Sequence, residues 1–417
     1  MSKLLILGNN RLNGRIKIHG AKNSALPILA ATVLCKKECV LHNCPILSDI
    51  SVALEILKHL GAKVKTENHD IIINAKDINQ HEIPKELMVK MRSSIIFLGP
   101  ILARTKKAKV FFPGGCELGP RPIDLHLKSL KQLNIKVKEC SENIECSSKK
   151  ITPATIILPF PSVGATENIV LTSVLTKGTT KILNAAQEPE IADLTNFLNK
   201  AGAKIFIKKE GSIIIEGVKN LDGAEYSIMP DRIATTTYIS AAATTGSSIV
   251  IEDICMEHLK STISIFNEMN VKIILEANKI KVIANKKLKS AKIIKTMPYP
   301  GFPTDSQAII MAVACFCEGT TTFVENIFQS RFKHVKELIK MGAEVEVFGK
   351  TAVVKGQKYL RGATVKSYDL RGAAAMVAAG LGANGTTILS SLTHLDRGYE
   401  NIEKNLISLG ASVKRID

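Results

Sequence analysis

The sequence predicts an α/β (α+β) protein of two domains, each built from three similar units. The first observation is its length, because 417 residues are long for one hydrophobic core and usually form two domains. The second is a sequence motif that occurs six times, in which an amphipathic helical run ends at Gly or Asn and an alternating strand follows. The third is a helix rich in small residues that precedes each copy of this motif.

The amphipathic motif recurs at nearly constant intervals along the sequence. The Gly or Asn that ends each helical run stands at positions 61, 134, 202, 270, 342 and 410, so neighbours are 68 to 73 residues apart. Gly and Asn tolerate the left-handed backbone conformation that commonly ends a helix. The spacing therefore predicts six helices that stop with a positive φ angle, each followed by a strand.

The helices rich in small residues are predicted to form the domain interiors. They span 22–34, 91–103, 165–176, 231–245, 304–316 and 369–381. Small side chains allow close helix packing, whereas the amphipathic helices carry Lys on one face and should cover an outer surface. Each unit is thus predicted as strand, buried helix, strand, amphipathic helix and strand pair, and Pro230 marks the midpoint of the chain.

Composition argues against several function classes. The formal charge is +18, but the lysines are spread singly and aromatic residues make up only 5%, which disfavours nucleic-acid binding. No run approaches 18 apolar residues, so we expect no membrane span. Nine cysteines without paired spacing to histidine predict no metal site, and a reducing cytoplasm suits them best.

The residues that begin the buried helices differ in charge between the two halves. Lys22 and Arg92 begin helices in the first half, whereas Asp231, Asp305 and Asp369 do so in the second. Asp is an ordinary N-cap, which is the alternative for Asp231 and Asp369. A cation there costs roughly 0.3–1 kcal/mol unless an anion binds at that helix end. Lys22 and Arg92 are therefore predicted anion ligands, with solvated surface charges as the alternative.

A loop at 113–122 combines three glycines with three prolines around Cys116. Glycines permit movement and prolines restrict the shapes available, as a lid over a substrate requires. Cys116 lies near Arg121 in sequence, a setting that can lower the pKa of a thiol. The alternative is a structural cysteine, which is the usual role of a lone cysteine.

Ten motifs resemble those of the enolpyruvyl transferase family, in order, from about residue 5 to 417. They are GAKNSALP (20–27), MRSSI (91–95), PGGCELGPRPIDLH (113–126), PSVGATENI (161–169), NAAQEPEI (184–191), PDRI (230–233), FPTDSQA (302–308), NIFQSRFKH (326–334), DLRGAAA (369–375) and HLDRGYENIEKNL (394–406). The resemblance implies two inside-out α/β domains of three βαβαββ units each. It also implies that the chain crosses between them, so that one domain is 1–21 with 231–417 and the other is 22–230.

The motifs are most similar to those of the family branch that uses UDP-N-acetylglucosamine. The resemblance implies transfer of the enolpyruvyl group of phosphoenolpyruvate (PEP) to the 3-hydroxyl of that sugar, with release of phosphate, for peptidoglycan precursors. It implies no metal or organic cofactor. Transfer to shikimate 3-phosphate is one alternative, although that relative lacks the PGGC loop. A non-catalytic relative that binds a UDP-sugar is the other.

The resemblance also implies roles for individual residues. The PEP-binding residues would be Lys22, Asn23, Arg121 and Arg397. The catalytic residues would be Cys116 as general acid and Asp305 as base or hydroxyl-orienting group, together with Lys22 and Arg397. Fosfomycin, an epoxide that resembles PEP, would alkylate Cys116.

The nucleotide sugar would contact residues from both halves of the chain. These are Arg92, Arg121, Pro122, Ile123, Asp124, Leu125, Ser162, Val163, Gly164, Asp305 and Ile327. Phe160 stands where some family members carry lysine, so one diphosphate contact is in question. Arg331 and Arg371 also match family positions, with interdomain ion pairing as their alternative role.

Overall fold

The structure is a computed structural model that describes residues 2–114, 123–285 and 287–416. These residues form 24 strands, which are arranged in six four-stranded sheets. The strands are β1 (Lys3–Leu7), β2 (Arg15–Lys17), β3 (Cys39–His42), β4 (Lys63–Glu67), β5 (Asp70–Asn74), β6 (Glu82–Ile83), β7 (Lys107–Phe111), β8 (Lys136–Glu139), β9 (Asn143–Ser147), β10 (Thr155–Ile157), β11 (Thr179–Leu183), β12 (Lys204–Ile207), β13 (Ile213–Glu216), β14 (Glu225–Ser227), β15 (Ser248–Glu252), β16 (Lys272–Glu276), β17 (Lys279–Ile283), β18 (Ile293–Lys295), β19 (Thr320–Val324), β20 (Glu344–Phe348), β21 (Thr351–Lys355), β22 (Thr364–Lys366), β23 (Thr386–Ser390) and β24 (Ser412–Ile416).

Thirteen α-helices and five 3₁₀ segments occur in the same part of the chain. The α-helices are α1 (Lys22–Ala31), α2 (Ser48–Leu60), α3 (Lys85–Met88), α4 (Leu98–Thr105), α5 (Asp124–Gln132), α6 (Val163–Ser173), α7 (Pro189–Lys200), α8 (Arg232–Thr245), α9 (Lys260–Glu268), α10 (Thr304–Ala314), α11 (Val335–Lys340), α12 (Leu370–Gly382) and α13 (Ile402–Ser408). The 3₁₀ segments are Thr32–Leu34, Arg92–Phe97, Met256–Leu259, Arg331–His334 and Leu392–Arg397. None of these helices has the length and hydropathy that a bilayer crossing requires.

Every sheet has the same topology. In the repeat that begins at β10, the elements β10, α6, β11, α7, β12 and β13 follow one another, and the strand order is β10-β11-β13-β12. β10 is parallel to β11, whereas β13 is antiparallel to both β11 and β12. The predicted unit of strand, buried helix, strand, amphipathic helix and strand pair is therefore confirmed.

Two repeats take their first strand from a distant part of the chain. β2 pairs in parallel with β15, and β14 pairs in parallel with β3. Backbone hydrogen bonds accompany the two crossings, from Ala21 N to Met229 O (2.7 Å) and from Asp231 N to His19 O (3.0 Å). The polypeptide thus passes twice between the two groups of three sheets.

The described residues divide into two compact units. One contains residues 2–19 and 230–416, and the other contains 20–114 and 123–229. Each unit has its own hydrophobic core. In the first, α8, α10 and α12 pack against one another, and every residue of α8 is buried. In the second, α4 packs against α6, and α1 packs against the 3₁₀ segment that begins at Arg92.

The six predicted helix ends all have a positive φ angle. The values are 107° at Gly61, 61° at Asn134, 102° at Gly202, 63° at Asn270, 90° at Gly342 and 89° at Gly410. This left-handed conformation turns the chain out of each amphipathic helix and into the following strand. The prediction from the repeated Gly or Asn is confirmed at every site.

One predicted buried helix differs from the structure. The sequence predicts a continuous helix over 91–103, but the chain forms a 3₁₀ segment, Arg92–Phe97, and then α4. Pro100 lacks an N–H and its ring crowds the carbonyl four residues earlier, which disfavours α-helical pairing there. The Asn168 side chain also inserts at this junction, since its Oδ1 accepts from Gly99 N (2.7 Å) and its Nδ2 donates to Ile95 O (3.2 Å).

Candidate active site

Lys22 is the first residue of α1, and its side chain is buried rather than solvated. Its Nζ lies 3.0 Å from Oδ2 of Asp49, in the first turn of α2. The two side chains are 10% and 3% exposed, so the ion pair is shielded from water. The carboxylate offsets the cost of a cation at a helix N-terminus. The surface-charge alternative for Lys22 is therefore wrong.

Asp49 was not predicted from the sequence, although a signal for it existed. It occupies the same buried face of α2 as Val52, Ala53 and Ile56. An acid that falls in the apolar period of an amphipathic helix is buried, and a buried carboxylate needs a cation or hydrogen-bond donors. Only the neighbouring helix shows that Lys22 is that cation.

The first turn of α6 contains the motif predicted to bind the diphosphate. Ser162 is the N-cap, and its hydroxyl accepts from Ala165 N at 3.4 Å. Val163 and Gly164 are the first two helical residues, where backbone N–H groups have no intrahelical acceptor. Phe160 is exposed and apolar, so it supplies no charge to an anion at this helix end.

The predicted nucleotide-binding stretch leads into α5. Ile123 is the N-cap residue and packs against the core, and Asp124 pairs with Lys128 at 3.1 Å on the helix surface. Leu125 also packs against the core. Three predicted site residues, Cys116, Arg121 and Pro122, lie outside the described residues.

Asp305 lies in the first turn of α10 between two buried arginines. Arg331 Nη2 is 3.0 Å from its Oδ1, and Arg371 Nη2 is 3.3 Å from its Oδ2. Burial acts to raise the pKa of Asp305, but the Arg371 and Arg331 charges outweigh it and hold that pKa well below its usual range. All three residues belong to the unit formed by 2–19 and 230–416. Asp305 is thus a permanent anion and hydrogen-bond acceptor.

The other two aspartates at helix starts in this unit are N-caps. Asp231 Oδ1 accepts from Ile233 N (2.7 Å) and Ala234 N (3.0 Å) at the start of α8. Asp369 Oδ1 accepts from the first turn of α12 in the same way, at 2.9 and 3.1 Å. The capping interpretation is confirmed for both. Asp305 differs, because Pro303 occupies the cap position of its helix.

Ile327 has its backbone N–H engaged. It donates to Glu325 Oε1 at 2.9 Å, and Phe328 N donates to the same oxygen at 3.0 Å. Glu325 is buried and also accepts from the Thr304 hydroxyl at 3.1 Å, next to Asp305. Sequence reasoning missed this carboxylate, which ties the 326–328 loop to the start of α10. A contact from Ile327 to a sugar would therefore use the carbonyl oxygen rather than the N–H.

The remaining predicted residues lie at element ends. Asn23 is the second residue of α1 and is half-buried. Arg92 begins the 3₁₀ segment before α4, and Arg397 ends the 3₁₀ segment Leu392–Arg397; both are half-buried. Over the ranges that the structure covers, no cluster of three His, Cys, Asp or Glu side chains could hold a metal ion.

Comparisons with known proteins relate the chain to a single family. The family model described as EPSP synthase (3-phosphoshikimate 1-carboxyvinyltransferase) matches residues 6–406. UDP-N-acetylglucosamine 1-carboxyvinyltransferase 2 of Caldanaerobacter subterraneus subsp. tengcongensis is 48% identical over 416 residues, 100% of both chains. UDP-N-acetylglucosamine 1-carboxyvinyltransferase 1 of Carboxydothermus hydrogenoformans is 46% identical over 417 residues, which is 100% of this chain and 99% of the relative.

Solved structures share the fold at lower identity. The enolpyruvyl transferase NikO from Streptomyces tendae superposes with a TM-score of 0.90 at 23% identity, covering 99% of this chain and 98% of that one. EPSP synthase from Acinetobacter baumannii superposes with a TM-score of 0.78 at 17% identity, covering 100% of both. The predicted inside-out α/β fold is confirmed. The chain belongs to the EPSP synthase family of enolpyruvyl transferases, and within it to the UDP-N-acetylglucosamine 1-carboxyvinyltransferases.

Proposed function

We propose that this chain transfers the enolpyruvyl group of PEP to the 3-hydroxyl of UDP-N-acetylglucosamine and releases phosphate. The observation that carries the proposal is the identity of 45–48%, over essentially the whole chain, to relatives named for this transfer. The product then serves peptidoglycan synthesis. The reaction requires only the two substrates and protein side chains.

The chemistry is an addition followed by an elimination. A proton adds to C3 of PEP while the sugar hydroxyl attacks C2, and the adduct then loses phosphate and a proton from C3. Cys116 is the proposed proton donor, and Lys22, Arg121 and Arg397 stabilise the phosphate as it departs. The proton lost from C3 returns to the Cys116 thiolate and the proton of the sugar hydroxyl leaves with the phosphate, so the reaction balances without a further reactant.

Asp305 acts by orienting the sugar hydroxyl rather than by storing its proton. Its carboxylate is held between Arg331 and Arg371, and the pKa of Asp305 lies well below its usual range. A carboxylate of this kind is a weak base but a permanent acceptor, and a fixed acceptor places the hydroxyl oxygen for attack. Of the two roles expected for Asp305, we therefore favour hydroxyl orientation.

PEP is proposed to bind at the start of α1. The shielded pair of Lys22 and Asp49 keeps the ammonium group in one place, and the helix N-terminus favours an anion there. Asn23 follows on the same helix turn and can donate a hydrogen bond to the carboxylate or phosphate of PEP.

The nucleotide sugar is proposed to bind at the starts of α5 and α6. The N–H groups of Val163 and Gly164 suit the diphosphate, and Ile123 to Leu125 suit the nucleoside. Because Phe160 carries no charge, the diphosphate depends more on these amides and on Arg92 and Arg121.

Two further assignments are part of the proposal. The chain would form domains of 1–21 with 231–417 and of 22–230, and the two compact units support this division. A cytoplasmic location is supported by the eight described cysteines, all of which are free thiols as in a reducing compartment.

Phosphate release with different acceptors tests the activity. We expect release from PEP with UDP-N-acetylglucosamine and none with shikimate 3-phosphate. Release only with shikimate 3-phosphate would favour the first alternative. Binding of the UDP-sugar without release in either mixture would favour the non-catalytic alternative.

A further inference from the structure

His126 is a buried histidine next to the proposed diphosphate site, with no role assigned to it so far. It lies in the first turns of α5 and is 8% exposed. Its ring reaches the start of α6, where a Cβ built on Gly164 would lie 2.9 Å from His126 Cε1 and 3.1 Å from Nε2. Only glycine leaves room for this approach, which explains why the motif has Gly at 164.

The orientation of the Asn168 amide is fixed by the backbone around the helix break. Gly99 N–H is a donor 2.7 Å from Asn168 Oδ1, so that atom must be the acceptor oxygen. Ile95 O is an acceptor 3.2 Å from Asn168 Nδ2, so that atom must be the NH₂ group. The amide therefore replaces the helical hydrogen bond that Gly99 N–H would otherwise donate to Ile95 O.

This orientation determines the tautomer of His126. Asn168 Nδ2 lies 2.9 Å from His126 Nδ1, and because Nδ2 can only donate, Nδ1 must be an unprotonated acceptor. A neutral ring then carries its proton on Nε2. Within the chain segments that the structure covers, no protein acceptor engages Nε2, which faces the N-terminus of α6.

The charge state of His126 agrees with this geometry. Burial lowers the pKa of His126 to about 4, helped by the positive charge of Arg92 and opposed by Asp124. The ring therefore stays neutral at physiological pH.

We infer that His126 donates a hydrogen bond from Nε2 to a diphosphate oxygen of the nucleotide sugar and is a binding residue of this site. The inference rests on the proposed function. Three donors would then converge at one helix end, namely the N–H groups of Val163 and Gly164 and the Nε2–H of His126. A neutral donor with one fixed tautomer needs no reorganisation on binding and does not change with pH near neutrality.

Comparison of uridine with UDP isolates this contact, because only UDP carries the diphosphate. A hydrogen bond to a charged group contributes roughly 1.5–3 kcal/mol, which is about a 10- to 150-fold change in dissociation constant. We expect His126→Phe, which keeps a ring of similar size, to weaken UDP by about that factor and to leave uridine unchanged in calorimetric titration. His59→Phe is the matched control, because His59 is an exposed histidine of the same unit.

Nitrogen-15 NMR of wild-type His126 gives a second test that needs no substitution. We expect the Nε2–H tautomer from about pH 5.5 to about pH 8, and a shift of the Nε2 proton with UDP but not with uridine. An equal loss of UDP and uridine affinity in His126→Phe would overturn the inference, as would an Nδ1–H tautomer. Failure of the wild type to bind UDP-N-acetylglucosamine would instead overturn the proposed function.

Discussion

Arg331 donates hydrogen bonds to the carboxylate of Asp305 and to the backbone carbonyl of Thr304. Its Nη2 lies 3.0 Å from Asp305 Oδ1 and 2.8 Å from Thr304 O, while Nε lies 3.2 Å from the same carbonyl. A single buried guanidinium thereby fixes both the backbone and the carboxylate at the start of α10. This arrangement gives Asp305 one orientation and one charge state, which is the basis of its proposed role.

Asp305→Asn should reduce kcat much more than it raises the KM for UDP-N-acetylglucosamine. The amide is similar in shape, but it is neutral and leaves Arg331 and Arg371 without their carboxylate. We expect kcat to fall by about 10²–10⁴-fold with KM changed only a few-fold, as measured by steady-state phosphate release. Asp253→Asn, which removes an exposed ion pair with Lys17 in the same unit, is the control. A raised KM with normal kcat would reduce Asp305 to a substrate-binding residue.

Arg371→Met should make activity more sensitive to acid. In the wild type, Arg371 and Arg331 depress the pKa of Asp305, so that carboxylate stays ionised throughout the working range. Removal of one cation raises the pKa of Asp305, and activity that needs the ionised form is then lost at a higher pH. The kcat of both proteins between about pH 5 and about pH 8 measures this change. A loss of kcat at the same acidic pH in the wild type and in Arg371→Met would contradict the assignment of charge at Asp305.

Asp49→Asn should lower the free energy of unfolding. The substitution leaves the buried Lys22 ammonium without its carboxylate, and breaking a buried ion pair costs about 3–5 kcal/mol. Urea unfolding followed by circular dichroism measures the change. Asp222→Asn breaks an ion pair with Lys37 in which the Asp222 side chain is 64% exposed and the Lys37 side chain is 71% exposed. We expect this substitution to lower the free energy of unfolding by less than about 1 kcal/mol. Equal effects of the two substitutions would show that the Lys22 pair is not shielded.

Cys116 is the proposed acid, so a different acid at this position should support turnover. We expect Cys116→Asp to retain substantial activity with a lower pH optimum, because the reference pKa of Asp is about 3.9 and that of Cys about 8.5. Cys116→Ala should lose far more activity, and Cys255→Ala, at a half-buried cysteine, should lose none.

Fosfomycin labelling provides an independent check on Cys116. We expect the epoxide to alkylate the wild-type thiolate and to spare Cys116→Asp, as peptide mass spectrometry would show. Labelling of another of the nine cysteines, or normal turnover by Cys116→Ala, would refute the assignment.

The features predicted from the sequence are those that local chemistry determines. Gly61 and Asn134 end their helices with positive φ because this conformation depends on the residue itself. The capping by Asp231 is likewise local, since the acceptor and both donors lie within four residues. The fixed interval between such signals was enough to predict the repeated unit.

The features that were not predicted depend on contacts between distant residues. The helix break before α4 involves Asn168, which is 69 residues from Gly99 in the chain. The ion pair between Lys22 and Asp49 joins two helices, and no local sequence pattern predicts how these helices are placed relative to each other. The family resemblance, and not periodicity, implied that the chain crosses between two domains, and the parallel pairing of β14 with β3 that accompanies this crossing was not predicted.

Mass spectrometry of the reaction product tests the proposed activity most directly. The purified chain is incubated with PEP and UDP-N-acetylglucosamine, and the products are compared with a reaction that contains Cys116→Ala. We expect a nucleotide sugar heavier by one enolpyruvyl group, formed in equal amount to free phosphate and nearly absent with the variant. An unmodified UDP-N-acetylglucosamine after full incubation with the wild type, or phosphate released without the enolpyruvyl ether, would contradict it.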